Sequence, residues 1–581
     1  MAKKRIYKIL RILLLVVLSV IIIAAAGIAW LSFNYRQIIA SELPAIVARS
    51  SDSMYHITYT AIDIHFFKHE ATVTGLKIWG DTGRVAALRQ QKQRVPSTIT
   101  TMNIAGIHIS GIAWNEIVRS HTVHCTNVDV GEMKWLLACT PHPEDSAFTR
   151  RKSKKPFLNL VVADHITITD PQITYKFEGK KSSFSLKLNG GSARLDDWRY
   201  NFDEKKDTSI FLYARNGNLR FNDLLFLKPA GTYTAQKPTI DFSTTDTSVT
   251  LKEIVLKKMA NHDPKTGATK EIYSLHFPSI ELRGFNWNNL VKHNKLELKR
   301  IVATQPDIDI RSIQQYKTGG KNRMGAYPHQ LLLKVGIKTN VNKLDISKGK
   351  FKYTEITDKG KEGIIAITNI QANFSNITNL DSVIALHKTC GIHLTGTYGG
   401  KSEIAADVAL NLVDTTGRFS LDGYIKNLTG DDVVKQVQAF SIVQVTSFYL
   451  SKLDIHVEGD EHFGTGSFTP YYKDLKISLF KFKSEQRKEK DGLFSFLGSS
   501  LVLYPSNPMP GKEVRKTSSS LAREPEKGFI GMIWKHVFRG VKKAAVRENF
   551  IITATAGKED KPGEKPHKKG FLTRLFGKKR K

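Results

Sequence analysis

The chain has 581 residues and a formal net charge of +33 at pH 7, with 41% hydrophobic and 24% charged residues. That hydrophobic content suits a folded body and excludes a chain disordered throughout, and three cysteines exclude a disulfide-dense secreted scaffold. The charge implies attraction to anionic partners (phospholipid headgroups, nucleic acid or acidic glycans) without choosing among them.

Residues 1–11 are a basic N-terminus with Lys3, Lys4, Arg5, Lys8 and Arg11. From Ile12 to Leu31, "ILLLVVLSVIIIAAAGIAWL" carries no charge. About 20 helical residues at roughly 1.5 Å each span about 30 Å, the hydrocarbon thickness of a bilayer. A transmembrane anchor is expected over residues 12–33, with Trp30, Phe33 and Tyr35 at the interface. Only Arg36 and Arg49 follow closely, so the positive-inside rule puts the N-terminus in the cytoplasm and the rest across the membrane. The alternative is a cleaved signal peptide with Ala24–Ala26 as the small-residue site. The apolar run continues past Ala26 and reaches spanning length, which favours an uncleaved, single-pass anchor.

Beyond residue 45, strands dominate. "HITYTAIDIHFF" alternates apolar and polar residues, and the body holds a phrase written twice: "IHISGIAWNEIV" (Ile107–Val118) and "IELRGFNWNNLV" (Ile280–Val291), 173 residues apart. Gly111 and Trp114 answer Gly284 and Trp287. Each phrase reads as a half-buried strand broken by glycine, then one amphipathic turn with the tryptophan as its anchor. Downstream, "HITITDPQITY" (His165–Tyr175) matches "KLDISKGKFKY" (Lys343–Tyr353), and the turn residues in both predict hairpins. These matches divide the body into repeat units over residues 45–270 and 271–410. Shifted by the repeat offset, Cys125 falls on Leu298, a strand position. That favours a buried cysteine over a metal ligand, although His124, Cys125, Cys139 and His142 superficially resemble a zinc set.

Residues 411–482 read as strands around a short helix at Asp431–Ala439. The tail, 511–581, holds twenty basic and seven acidic residues with Pro, Gly and Ser spacers typical of disorder. Inside it, residues 528–547 form an amphipathic pattern: Ile530, Ile533, Trp534, Val537, Phe538 and Val541 share one face, while Lys535, Arg539, Lys542, Lys543 and Arg547 lie elsewhere. Two readings fit: a helix lying on an anionic membrane, with Trp534, Phe538, Lys535, Arg539, Lys542 and Lys543 at its surface, or one docked on the end of the β body.

No nucleophile elbow, phosphate loop, dinucleotide fingerprint or H-E-x-x-H occurs, so neither an enzyme nor a cofactor is expected. Histidines such as His65, His108, His393 and His456 alternate with apolar residues, as solvent-facing strand positions do. Nucleic-acid motifs are also missing, and the anchor places the body outside the cytoplasm.

The anchor followed at once by "YHITYTAIDIHFFKHEATVTGLKIW", the β repeats, and "GRFSLDGYIKNLTGDDVVKQVQAFSIVQVTSFYLSKLDIHVEGDEHFGTGSFTPYYKDLKISLF" resemble the AsmA-like proteins of Gram-negative bacteria. The resemblance covers roughly Met1–Phe482 and is one of pattern and order; the tail from Gly511 departs from the family's pattern. It implies an inner-membrane anchor, a periplasmic body and a part in outer-membrane biogenesis or phospholipid transport. The implied partners are the inner membrane, phospholipid or another anionic envelope lipid, and envelope proteins.

The expected fold is therefore mainly β: an N-terminal transmembrane helix, then an elongated repetitive antiparallel sheet with short helices and a basic tail. Alternation fits both an open groove and a closed sandwich. In the groove, Ile166, Ile168, Leu344, Ile346, Ile455 and Val457 would face acyl chains. The alternative function is a scaffold that binds envelope proteins and carries no lipid.

Overall fold

The computed structural model describes residues 44–45, 47–48, 51, 53–91, 95, 98–140, 159–178, 183–201, 211–228, 231–258, 271–286, 289–290, 295–313, 322–335, 337–356, 362–432, 443–483, 487–490, 503–525 and 528–547. The expected anchor, Trp287, His142, most of the helix at Asp431–Ala439 and the tail beyond residue 547 lie outside them. Among the described residues the fold is mainly β, and no helix is long and apolar enough to cross a membrane. Two compact units divide the chain: Met1–Asn261 with Phe277–Leu298, and His262–His276 with Lys299–Lys581.

In the first unit β1 (Tyr55–Thr58) and β2 (Ala61–His65) both pair with β3 (Glu70–Gly80). Helix α1 (Thr82–Gln90) leads to β4 (Thr98–Ser110), which pairs with β3, and α2 (Trp114–Ser120) follows. Next, β5 (Thr122–Val130) and β6 (Met133–Cys139) take one half of β4 each. Then β7 (Leu160–Thr169) and β8 (Pro171–Glu178) run parallel to β5 and β6. The pattern continues antiparallel: β9 (Ser183–Asn189) on β8 and β10 (Ser192–Asn201) on β7; β11 (Asn216–Arg220) on β10 and β12 (Asp223–Lys228) on β9. Finally β13 (Gly231–Gln236) and β14 (Thr239–Ser243) pair with β12 and β11, and β15 (Ser248–Lys258) spans both.

Two expectations change here. The sheet is mixed rather than antiparallel. The expected hairpin at Asp170-Pro171 is instead a bend, because β7 and β8 run on to separate partners. Asp170 takes φ +51°, a left-handed step that turns the chain without reversing it. The left-handed residues Gly75 (φ +64°), Asp170, Gly190–Gly191 and Lys237 line up by register with Ala105, Gly131–Glu132 and Phe221–Asn222 in the strands between them. Together they crease the sheet. Each step also shifts the alternation by one residue. Ala71 and Val73 before Gly75, and Leu76 and Ile78 after it, are all buried, as are Met102 and Ile104, then Ile107 and Ile109, in β4. Both arms thus turn apolar side chains into one core.

The division between units falls inside β16 (Glu271–Arg283) and β17 (Lys295–Thr304). In the second unit Glu271–His276 pair with β18 (Asp307–Ile313), and after α3 (Pro328–Leu333) the long β19 (Lys338–Ile356) lies parallel to β18. Here too no hairpin forms: Lys343–Tyr353 belongs to one strand, bulged between Ile346 and Phe351 with Lys348 at φ +53°. An antiparallel series follows: β20 (Glu362–Thr378), then α4 (Asp381–Leu386), β21 (Thr389–Tyr398), β22 (Ser402–Asn411), β23 (Phe419–Thr429), β24 (Val443–Gly459) and β25 (Phe463–Lys483). The two ends of β25 take β26 (Arg487–Lys490) and β27 (Thr517–Ala522), and α5 (Phe529–Ala545) closes the described chain.

The repeat is larger than the doubled phrase. Tyr55↔Gly80 and Ile62↔Val73 in the first copy become Tyr233↔Lys258 and Ile240↔Leu251 in the second. Asn103↔Lys134 becomes His276↔Asp307, and the parallel pair Lys134↔Gln172 becomes Asp307↔Lys350. Left-handed residues match as well: His69 with Thr247, Gly75 with Glu253, Gly111 with Gly284 (both φ +70°), Asp170 with Lys348. After each glycine the next amide binds the matching carbonyl, Ile112 to His69 at 3.0 Å and Phe285 to Thr247 at 2.8 Å. The copies therefore begin at β1 and β13, upstream of the phrase, so that β13–β15 belong to the second copy.

Trp114 opens α2, is 8% exposed, stacks on Phe66 at 5.2 Å and donates its indole N–H to the Phe66 carbonyl at 3.2 Å. Trp114→Ala is expected to cost about 3–5 kcal/mol. A Cβ on Gly111 would meet Thr126 Oγ1 at 2.3 Å, so Gly111→Ala should cost about 1–3 kcal/mol. Urea unfolding of the first unit's signal, against wild type, checks both.

Candidate functional site

Four of the six residues expected to face a groove meet in the second unit. Ile346, Ala372, Leu394, Ala406, Gly423, Ile455 and Phe468 are successive register partners from β19 to β25. Beside them runs Leu344, Phe374, Ile392, Val408, Leu421 and Val457. Direct partners share a face, so these are two adjacent apolar rows on one side of the sheet. Most of their large side chains over β19–β22 are only partly buried (Leu344, Ile346, Phe374, Ile392, Leu394 and Val408), whereas Val457 and Phe468 are 0% and 1% exposed.

Ile166 and Ile168 occupy equivalent rows in the first unit. Ile109, Val128, Ile166, Leu195, Gly217 and Phe242 are successive partners, as are Ile107, Val130, Ile168, Ala193, Leu219 and Ile240. Here the rows are largely sealed: Ile109, Val128 and Ile166 are 0%, 2% and 7% exposed, while Ile168 is partly buried. Most of these two rows in the first unit belong to a packed core, whereas the rows over β19–β22 of the second unit stay partly exposed.

The opposite face of the second unit is polar. Asp345, Asn373, His393, Asp407, Asp422, His456, Ser467 and Ser518 form a register row of their own. Asn373 donates to Asp345 at 2.6 Å, and His393–Asp407 and His456–Asp422 each meet at 2.7 Å. Burial works to raise the Asp345 carboxyl, but its ion pair with Arg300 and the bond from Asn373 hold it below its ordinary value. A shallow depression of about 260 Å³ lies over Gly423 among Asp422, Asp454, His456, Ser467 and Thr469. Among the described residues no group of His, Cys, Asp or Glu is placed to hold a metal. Cys125, Cys139 and Cys390 are free and buried, and burial pushes the Cys125 thiol up to about 12, so it is not a poised nucleophile.

One end of the apolar face is covered by a segment whose composition suggested disorder. Residues 503–525 are ordered, and β27 extends the sheet beyond β25. Helix α5 lies on the inward side of these strands. A Cβ on Gly540 would meet the Phe468 ring at 2.1 Å, and one on Gly464 would meet His536 Nε2 at 2.9 Å; only glycines admit so close an approach. Thr517 donates to the Gly540 carbonyl at 2.9 Å, and Ser519 Oγ lies 2.6 Å from His536 Nδ1. Arg515 donates to the Ala544 carbonyl at the helix C-terminus and stacks on Tyr504 at 3.9 Å.

The expected face of α5 is split. Met532, His536, Val537, Gly540 and Ala544 are buried, with Ile533 and Val541 packed beside them, whereas Ile530, Trp534 and Phe538 point outward. Lys535 pairs with Glu524 at 2.9 Å, and Arg539, Lys542 and Lys543 are partly buried. Of the two sequence readings of this helix, docking accounts for its buried side. His536 and the glycine floor were missed because a histidine and two glycines carry no apolar signal; the regular spacing of Gly464 and Gly466 was their only trace.

Comparison of the chain with protein-family models and with curated proteins finds no match.

Burial brings the His536 imidazole from its ordinary value down to about 4, helped by the charges of Lys535 and Arg539, and its Nε2 has no hydrogen-bond partner among the described residues. A folded pKa below the unfolded one means that the unfolded chain binds the extra proton. Docking of α5 should be at full strength above about pH 6.5 and weaken steadily towards pH 4, by up to about 3 kcal/mol. Hydrogen exchange of α5 amides across that range checks this; protection independent of pH would refute it.

Proposed function

We propose that this is a membrane-anchored, AsmA-like β protein of the Gram-negative envelope that shields phospholipid acyl chains along an apolar sheet face. On this reading the anchor sits in the inner membrane, the body is periplasmic, and the task is outer-membrane biogenesis or phospholipid transport between membranes. The observation that carries it is the pair of partly exposed apolar rows over β19–β22, backed by a polar outer row. A chain laid along those rows loses contact with water at a gain of about 0.8 kcal/mol per CH₂, with no polar group required of the protein. Family resemblance in order and pattern supports the same reading.

The face offers a built-in control. Ile346 lies where the row is partly open, and Val457 where it is sealed. Ile346→Asp puts a charge in the path of an acyl chain but leaves it reachable by water. It should abolish copurified phospholipid while moving the melting temperature little. Val457→Asp buries an unpaired carboxylate and should lower stability by more than about 3 kcal/mol. Mass spectrometry of lipid extracted from each purified full-length variant, beside its thermal melt, gives the answer. Wild-type protein free of lipid and bound stoichiometrically to envelope proteins would favour the scaffold instead.

A further inference from the structure

Helix α5 turns the wrong residues outward for an ordinary surface helix. Its three exposed positions are Ile530, Trp534 and Phe538, at 74%, 53% and 58%, four residues apart and so on one ridge. At about 100° per residue, Lys535, Arg539 and Lys542 fall on one flank of that ridge. The other flank descends into the core through Ile533 and Val537. Helices on soluble surfaces carry the reverse arrangement, charge outermost and apolar groups below.

The ridge has company at its own end of the unit. Phe529 meets the Tyr327 and Phe419 rings edge to face, at 5.2 Å and 4.9 Å between centroids, which ties the start of α5 to α3 and to the turn before β23. Leu412 N–H donates to the Lys388 carbonyl, which adds the segment after α4. These three places hold Leu331, Val413 and Leu386, at 51%, 54% and 78% exposure. Apolar side chains from four segments of the chain are therefore presented at one end.

We propose that this end is a docking surface for an anionic phospholipid bilayer, with the α5 ridge set among the acyl chains and its basic flank against the headgroups. Charge decides the occupant. A second copy packed antiparallel on this ridge would bring Arg539 and Lys542 against their own kind, whereas phosphate headgroups complement them; Lys535 is held by Glu524. Trp and Phe beside Lys and Arg are the side chains that settle at the boundary between headgroup and hydrocarbon. The proposal stands apart from lipid shielding, because the ridge faces away from the apolar rows that α5 covers.

The test uses full-length protein held in neutral phosphatidylcholine nanodiscs and offered vesicles of phosphatidylglycerol with phosphatidylethanolamine, or of phosphatidylcholine alone. Wild type should float with the anionic vesicles at least tenfold more than with the neutral ones. Trp534→Ala with Phe538→Ala should lose that capture without a change in melting temperature, since both side chains are exposed. Arg539→Gln with Lys542→Gln should remove its salt dependence. Ile346→Asp, which disturbs only the apolar rows, should capture as wild type does. Equal capture of neutral vesicles, undiminished capture by the ridge variant, or a doubling of protein per nanodisc that the ridge variant abolishes would each overturn the proposal, the last by making the ridge a contact between copies.

Discussion

Everything in this fold depends on keeping backbone hydrogen bonds complete while the sheet bends. A strand that turned by breaking its ladder would leave amides and carbonyls unpaired, at a cost of order 1–3 kcal/mol each. Here the bend is made by left-handed residues in some of the strands, at a register level shared with their neighbours, so the ladders resume on the far side with the next partner. Asp170, Gly190, Gly191 and Lys237 are such residues, and their register alignment makes the crease a property of the sheet rather than of any one strand. The odd step in each also corrects the phase of the side chains. Without it, one arm would turn its apolar face to water.

This economy explains why the same device serves different ends. In the first unit both arms supply one dense core around Ile78, Ile107 and Ile109. In the second, the bulged β19 and its neighbours carry equivalent rows that stay partly open until α5 covers Val457 and Phe468. Strand chemistry is the same in both; what differs is whether anything lies on top.

Alternation made the strands and their inward residues legible. Ile346 and Ile455 sit five strand pairings apart in one row although 109 residues separate them, and each was readable from its own strand alone. Turn residues misled: Asp-Pro and Lys-Gly suit a reversal and a left-handed bend equally, and only the partners on either side tell them apart. The repeat was visible where Gly and Trp mark it and invisible over β1–β3 and β13–β15, where register is kept by generic apolar residues that differ between copies. In the tail, composition spoke for disorder because β27 is Thr-Ser-Ser-Ser-Leu-Ala, a strand whose small polar side chains carry little apolar signal.

The helix that covers the end of the apolar face is made only after the strands it covers. On the ribosome, β24 and β25 emerge with Val457 and Phe468 bare, and stay so until some seventy more residues have followed. For the first part of that interval β25 also has an unpaired edge, until β27 arrives. A nascent chain with an apolar surface beside a free strand edge is the species most prone to pair with a neighbour. Premature termination before residue 517 would therefore yield an adhesive protein rather than a shortened one, and the burden of keeping it single falls on whatever attends the chain as it folds.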